Sequence, residues 1–536
     1  MCGIWAYISS TPINAQDYEH YVQRLTERGP EGTRVQQITP NIILGFTRLA
    51  INGLTPNGMQ PMYHNGLYAV TNGEIYNYKE LAKEFSLEMT TGSDCEIVPK
   101  LYERLGDLTW TSLDGVFATI VIDPILHRAI IARDPYGIRP LFYGECGSGL
   151  IISSEIKGLI GLASNIRPLE PGTFLKVDTL DLSREQQRWH QIPFLKVPAL
   201  ADEATAANAL RSALEQAVRK RLMTERPCAA LLSGGIDSSL IAALVQRELK
   251  AAGASPLKTF SIGFEGSEDL RYARLVADHI GSDHHEIIKT PDEFFEAIPE
   301  VIKAIESYDT TSVRASVGNW SVAKAIKDMT DCKVVFNGDG SDEVLGGYLY
   351  FYNAPTPTEF ELETTRLLKD IYMYDVLRSD RSISSHGLEP RTPFLDRQFV
   401  ATAKAISTTL RQPIKGKQVE KWILRKAFQD TGLLPDAVLW RKKEAFSDGV
   451  SGKTKAWYEE IADRVPSSPI TITEHLPPKT LEQAYYRSIF EELYPNCEKV
   501  IPYFWMPNWS TATDPSARTL SVYAEKSDAP DALKEE

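Results

Sequence analysis

From the amino end to about residue 195, apolar residues come in short runs rather than at helical spacing. The runs at 42–44, 67–70, 116–122 and 129–131 lie near turn-forming pairs such as Asn52-Gly53, Asn57-Gly58, Asn65-Gly66 and Asn72-Gly73. Short apolar runs punctuated by Asn-Gly predict strands joined by tight turns, because Asn and Gly accept the backbone conformations that such turns need. A first strand is expected over 2–8. Helical spacing of apolar positions is weaker, at 18–28, 78–85 and 95–105. The pattern predicts an α+β sandwich.

The texture changes after a Pro-bearing linker at 193–198. A long amphipathic helix is predicted over 201–223, where Ala, Leu and Val recur every three or four residues. Strands at 229–232, 258–262 and 333–336 then alternate with helical stretches at 238–251, 269–280, 291–304 and 316–329. That alternation predicts an α/β domain with a doubly wound parallel sheet, whose ligands lie at the carboxyl ends of the strands. Beyond residue 350 the chain reads mainly helical. The expected domains are 1–195 and 196–522, with 523–536 a frayed polar tail.

Composition narrows the class of protein. The 536 residues are 43% hydrophobic and 24% charged, ordinary for a folded chain that buries a sizeable core. Lys+Arg 58 against Asp+Glu 71 gives a net charge of -13, which argues against nucleic acid or an anionic membrane as a partner through bulk attraction. No apolar run approaches the ~18 residues of a membrane span, and no basic-then-apolar leader opens the chain. The six cysteines form no CxxC pair. A reducing, cytoplasmic location is expected, with Cys95, Cys146, Cys228, Cys332 and Cys497 as buried thiols.

Cys2 stands apart. Removal of Met1 would leave a thiol and a free α-amino group on one residue, a nucleophile with its own base, since such an amine titrates near ~8. The bland reading is a cysteine in a first strand. Nearby positions favour the chemical one. Arg48 can grip a carboxylate, the Asn72 amide and the Gly73 N–H are adjacent donors for a tetrahedral oxyanion, and Asp94 can hold a substrate ammonium. Singly, each fits a turn or a surface ion pair.

Cys2-Gly3-Ile4, Arg28-Gly29-Pro30, Arg48-Leu49-Ala50-Ile51, Asn72-Gly73-Glu74-Ile75-Tyr76-Asn77 and Ser93-Asp94 together resemble the class II glutamine amidotransferase domain. The resemblance implies a four-layer, Ntn-hydrolase-like sandwich in which Cys2 attacks the glutamine side-chain amide. It also implies that Asn72 and Gly73 stabilise the oxyanion. Arg48, Leu49, Ala50, Ile51, Asn52, Glu74 and Asp94 would bind glutamine.

In the second half, Ser233-Gly234-Gly235-Ile236-Asp237-Ser238-Ser239 follows a predicted strand and opens a helix. Two glycines allow a tight turn with N–H groups facing inward at the positive end of a helix, a cradle for phosphate without a lysine. The segment resembles the pyrophosphate loop of the ATP pyrophosphatase superfamily. Gly452-Lys453-Thr454 imitates a Walker A ending, but Ser447 holds the earlier glycine position, and a loop is expected there. Gly338-Asp339-Gly340-Ser341-Asp342-Glu343 imitates a dinucleotide fingerprint, but Glu343 holds the third glycine position. Asp237 and Asp342 both follow predicted parallel strands, where their oxygens and ATP phosphates would suit Mg²⁺. The basic stretch at Arg441, Lys442 and Lys443 supplies positive charge for leaving pyrophosphate.

Both halves in this order resemble glutamine-hydrolysing asparagine synthetases. Glu306-Ser307-Tyr308-Asp309, Gly346-Gly347-Tyr348, Glu389-Pro390-Arg391-Thr392-Pro393-Phe394-Leu395-Asp396 and Asp514-Pro515-Ser516 agree. The resemblance implies glutamine, aspartate and ATP as substrates, Mg²⁺ as cofactor, a β-aspartyl-AMP intermediate and an ammonia tunnel; the sequence leaves the oligomeric state open, a homodimer being one option. It places Leu231, Ser233, Gly234, Gly235, Asp237, Ser238, Ile262, Asn337 and Gly338 at the nucleotide. Lys443 would stabilise departing phosphates, with Asp375 and Arg378 near the acyl site. Two positions depart from the family: Asp339 replaces the usual Glu that assists adenylation, and Asn337-Gly338 replaces Ser-Gly. A cyclising β-lactam synthetase and a degenerate regulatory protein with Asp339 as its lesion are the alternatives. The intact Cys2 set argues against the first.

Overall fold

The computed structural model describes residues 1–194, 197–444, 446–451, 455–466 and 474–526. Two six-stranded antiparallel sheets build the amino-terminal half. In one, Gly3–Ser9 lies between Ile42–Thr47 and Gly149–Ser153. In the other, Leu67–Ile75 pairs with Gly115–Asp123, which pairs with Arg128–Arg133. All the strands expected from short apolar runs are present, the first as Gly3–Ser9.

Side-chain alternation explains the layering. Ile4, Ala6 and Ile8 pack with Val70, Ala118, Ile120 and Ile122 between the sheets. Their neighbours Trp5 and Tyr7 face the other way, against Val22 and Leu25. On the far face of the second sheet, Phe117, Val121 and Ala132 meet Ile97 and Leu101 of helix Ile97–Leu105. Successive residues of a strand point to opposite faces, so an unbroken apolar run marks a strand covered on both sides.

The second half carries a five-stranded, wholly parallel sheet. From edge to edge its strands are Asp283–Ile288, Lys258–Gly263, Cys228–Leu231, Val334–Phe336 and Glu389–Arg391. Ala230, Val334 and Phe336 pack with Leu210, Leu214, Leu240 and Leu244 of helices Glu203–Lys220 and Ile236–Ala251. Ala229, Phe260, Ile262 and Val335 pack with Val301, Val313 and Val317 of helices Ile298–Ile305 and Thr310–Met329. Both edge strands escaped the apolar pattern. Asp283–Ile288 is mostly polar, and Glu389–Arg391 contains Pro390, which is tolerated in an edge strand because one side needs no N–H.

Three expectations are corrected. The helix over 18–28 shrinks to Glu19–Gln23 after a 3₁₀ turn, Ala15–Tyr18. The helix over 291–304 is two, Pro291–Glu296 and Ile298–Ile305, because Pro299 lacks the N–H that continuity requires and instead starts the second helix. The tail expected to fray from 523 continues as helix Ser521–Lys526. Residues 527–536, part of the 193–198 linker, and the Gly452-Lys453-Thr454 loop lie outside the described residues.

A buried ion cluster fastens the halves together. Arg28 Nη1 reaches Glu155 at 2.6 Å and Asp380 at 2.9 Å, and Arg139 reaches Asp380 at 3.1 Å. Glu306 accepts the Ile156 and Lys157 N–H groups at 2.8 and 2.7 Å, and Arg381 at 2.7 Å. Desolvated charges are costly unless paired, so these contacts fix one relative placement of the halves.

Candidate active sites

The first pocket forms around the end of the opening strand. Cys2, Arg48, Leu49, Ala50, Ile51, Asn52, Gly73, Glu74, Asp94 and Cys95 line it. Cys2 Sγ is 3.4 Å from the Leu49 N–H, which donates to it, and 3.5 Å from the Leu49 carbonyl, which accepts from it. Burial pushes the thiol's pKa up. With Met1 in place, its α-amino group is hydrogen-bonded to the Leu388 carbonyl at 3.3 Å, next to the Cys2 pocket. Burial pulls that amine's pKa down to about 5.

The expected binding residues line the pocket, with differences, except Asn72, which lies behind the wall. Arg48 spends its guanidinium on the Thr55 and Gly53 carbonyls, at 2.9 and 2.5 Å. Asp94 accepts the Ile75 N–H at 2.7 Å, and burial raises its pKa to about 6. Glu74 accepts from Asn52 at 2.7 Å, and burial followed by the Asp94 and Glu389 charges pushes its carboxyl well above the usual range. Gly73 meets the pocket, and an added Cβ there would fall 2.1 Å from the Val116 carbonyl. Asn72 is fully buried beside it, and both its amide atoms lack partners among the described residues. An unsatisfied buried amide costs about 1–3 kcal/mol and is expected where a ligand supplies the missing bond.

The wall also holds residues that were not foreseen, Phe46, Gly58, Gln60 and Thr71 among them, and two of these additions carry chemistry. Cys95, expected as a bystander, lies within the pocket. Glu389 closes it from the edge strand of the parallel sheet, about 390 positions along the chain.

The second pocket opens beyond the carboxyl ends of the parallel strands. Leu231, Ser233, Gly235, Asp237, Ser238, Ile262, Asn337, Gly338, Asp339, Asp342, Asp375, Arg378 and Lys443 line it. Gly234 does not face the cavity. It takes φ +72 and leaves no room for a Cβ, which would meet Tyr272 at 2.4 Å, so it shapes the turn instead. Ser238 Oγ accepts the Ser233 N–H at 3.1 Å and holds the loop.

Asp237 and Asp342 are brought together, as expected, and Lys421 joins them. Lys421 Nζ is 2.5 Å from Asp237 and 2.7 Å from Asp342. Lys443 Nζ reaches the other Asp342 oxygen at 2.6 Å. Burial pushes the Asp342 carboxyl up, but Lys421 and Lys443 overcome it and hold the group well below the usual range. Lys421 is fully buried and was not foreseen, since no motif marks it.

Asp339 accepts from Arg378 at 3.0 Å, and Arg378 also binds Asp375. The second Asp339 oxygen is buried without a partner among the described residues, and burial raises this carboxyl's pKa against the pull of Arg378. Asn337 donates to Ser379 at 2.7 Å. Glu343 accepts from Tyr348 at 2.5 Å, and its pKa is driven far upward by burial and then by Asp375 and Asp342. Arg441 stacks over Tyr272 and pairs with Asp269 at 2.7 Å.

An antiparallel sandwich bearing a thiol pocket, joined to a parallel α/β domain with a glycine-loop anion pocket, defines a two-site protein. Comparison with known proteins bears on each half. A glutamine amidotransferase domain model matches residues 1–192, and an asparagine synthase model matches 209–362 and 354–521. The asparagine synthetase [glutamine-hydrolyzing] of Gallus gallus is 41% identical over 560 residues, covering 98% of this chain and 99% of that protein. The Homo sapiens protein of the same name is 40% identical over 561 residues, with the same coverage. The chain belongs to the family of glutamine-hydrolysing asparagine synthetases. No helix among the described residues is long and apolar enough to cross a membrane.

Proposed function

We propose that this chain makes asparagine from aspartate, ATP and glutamine in two pockets. At the first, the Cys2 thiol attacks the glutamine side-chain amide, releasing ammonia. Water then cleaves the thioester to glutamate. Gly73 N–H and the unpartnered Asn72 amide would receive the oxyanion, and Asp94 would hold the substrate ammonium. At the second, the aspartate β-carboxylate displaces pyrophosphate from ATP, giving β-aspartyl-AMP. Ammonia then displaces AMP.

In this reading the glycine loop cradles phosphate, Lys443 and Lys421 neutralise charge developing on leaving pyrophosphate, and Arg378 orients the acyl group. Two carboxylate side chains that share a crevice with the phosphate loop suit a hard cation. Asp237 and Asp342 would hold Mg²⁺, which when bound offsets phosphate charge. The four-layer sandwich and doubly wound sheet belong to the same reading.

The observation that carries it is Glu389. A strand of the synthetase sheet supplies a wall of the thiol pocket, so the two chemistries share one framework. The test is Cys2→Ala. Pyrophosphate release and asparagine formation with glutamine should vanish, while both persist with added ammonium. Failure of ammonium to rescue the variant would sink the two-site account, and glutaminase activity of the unaltered chain without pyrophosphate release would support a degenerate protein instead.

A further inference from the structure

Lys404, Glu361 and Arg411 form a buried ion cluster that neither pocket uses. They line a separate cavity of about 270 Å³ with Pro357 and Thr358 among its other walls. Lys404 is 2% exposed, Arg411 1% and Glu361 6%. Lys404 Nζ donates to Glu361 at 2.9 Å, Thr364 at 2.8 Å and Thr365 at 3.0 Å. Arg411 binds the other Glu361 oxygen and, through Nε, the Ile406 carbonyl at 3.2 Å. Two buried cations thus share one carboxylate, leaving a positive excess of one where desolvation makes unpaired charge expensive.

A second observation points the same way. Arg411 Nη1 is buried and has no partner among the described residues. Helix Pro357–Asp370 also starts at this cavity, adding its positive end.

We propose that this cavity binds a small oxyanion, a phosphate or carboxylate group, through Arg411 Nη1, with the Lys404 charge beside it. With Nη2 and Nε of Arg411 spent on Glu361 and Ile406, Nη1 is the donor that remains, and a guanidinium N–H makes a charge-assisted hydrogen bond to either group. The anion would satisfy Nη1 and balance the excess charge. Apolar walls from Phe194, Pro198 and Ile406 leave space for a short organic body beside the charged head.

The test is calorimetric titration of the full chain with inorganic phosphate and, separately, with succinate. A non-hydrolysable ATP analogue with Mg²⁺ keeps the glycine-loop pocket filled. Thr358→Glu puts a carboxylate at the exposed mouth of the cavity, and acidic residues are favoured in the first turn of a helix, so the variant should fold. It should weaken binding at least tenfold, as should Arg411→Gln. Binding of phosphate alone identifies a phosphate ligand, and of succinate alone a carboxylate. The proposal is overturned if neither anion binds the unaltered chain, or if Thr358→Glu binds as tightly as the unaltered chain.

Discussion

Arg391 Nη2 stands 3.5 Å from Glu74 Oε2, so a guanidinium on the edge of the parallel sheet answers a carboxylate of the thiol pocket. The same nitrogen lies 2.9 Å from Glu389, and Arg391 is fully buried. One cation therefore separates two acids that come from different halves of the chain. Arg391→Met should destabilise the protein by about 3–5 kcal/mol, the usual cost of leaving buried charge unpaired. Urea denaturation measures it, and an unchanged midpoint would contradict the assignment. Adding Glu389→Gln should recover part of the loss.

Lys421 makes a second prediction. It bridges Asp237 and Asp342 at 2.5 and 2.7 Å, and replacing it with Met leaves two carboxylates facing each other beside the phosphate loop. Pyrophosphate release should fall at least ~100-fold with glutamine and with ammonium alike, the scale of losing an electrostatic group at a reacting centre. Glutamine hydrolysis should survive. A loss confined to the glutamine-supported reaction would place Lys421 outside the adenylation site.

Asp339 stands where the resemblance to the family leads one to expect Glu. Its first oxygen is held by Arg378 at 3.0 Å and its second is unpartnered, so the acid is positioned but short by one methylene. Asp339→Glu should maintain or raise the rate of asparagine synthesis, because the longer acid reaches further toward the acyl site. Steady-state kinetics with ammonium reads this step alone. A collapse in turnover would mean that the pocket is built around the shorter side chain.

The buried Asp94 predicts a pH dependence. Its folded pKa of about 6 lies above the ordinary 3.8, so the folded state holds the proton more tightly than the unfolded chain. The stability this contributes is present below the ordinary value and is lost as pH rises through about 6, on the order of 3 kcal/mol. Asp94→Asn should therefore flatten the stability profile between acid and neutral pH, as followed by chemical denaturation. Glutamine binding has the opposite sign, since the ionised form holds the substrate ammonium. The KM for glutamine should rise as pH falls below about 6.

Legibility differed between the two pockets for a physical reason. Gly234, Gly235, Asp237 and Ser238 fall within five consecutive positions, and a phosphate cradle is a local backbone shape, so the strand and helix that frame it were readable from spacing. Asn72, Gly73 and Glu74 were likewise a single strand's worth of residues. Lys421 and Glu389 were not readable as site residues, although Glu389 lay inside a recognised stretch, because each reaches its pocket from elsewhere in the chain. The edge strands Asp283–Ile288 and Glu389–Arg391 were missed since one is mostly polar and the other short and proline-bearing.

What the chain alone decided was local: where backbone runs extended or helical, which turn can cradle an anion, and that a cysteine follows the initiating methionine. These follow from steric and periodic rules that act over a few residues. Only the tertiary structure decided which distant charges meet. It set Glu389 against the Cys2 pocket, Lys421 between Asp237 and Asp342, and the Arg28, Arg139, Glu155 and Asp380 cluster between the halves. Charge pairing in a buried site depends on separation in space and on desolvation, and neither quantity is a property of sequence distance.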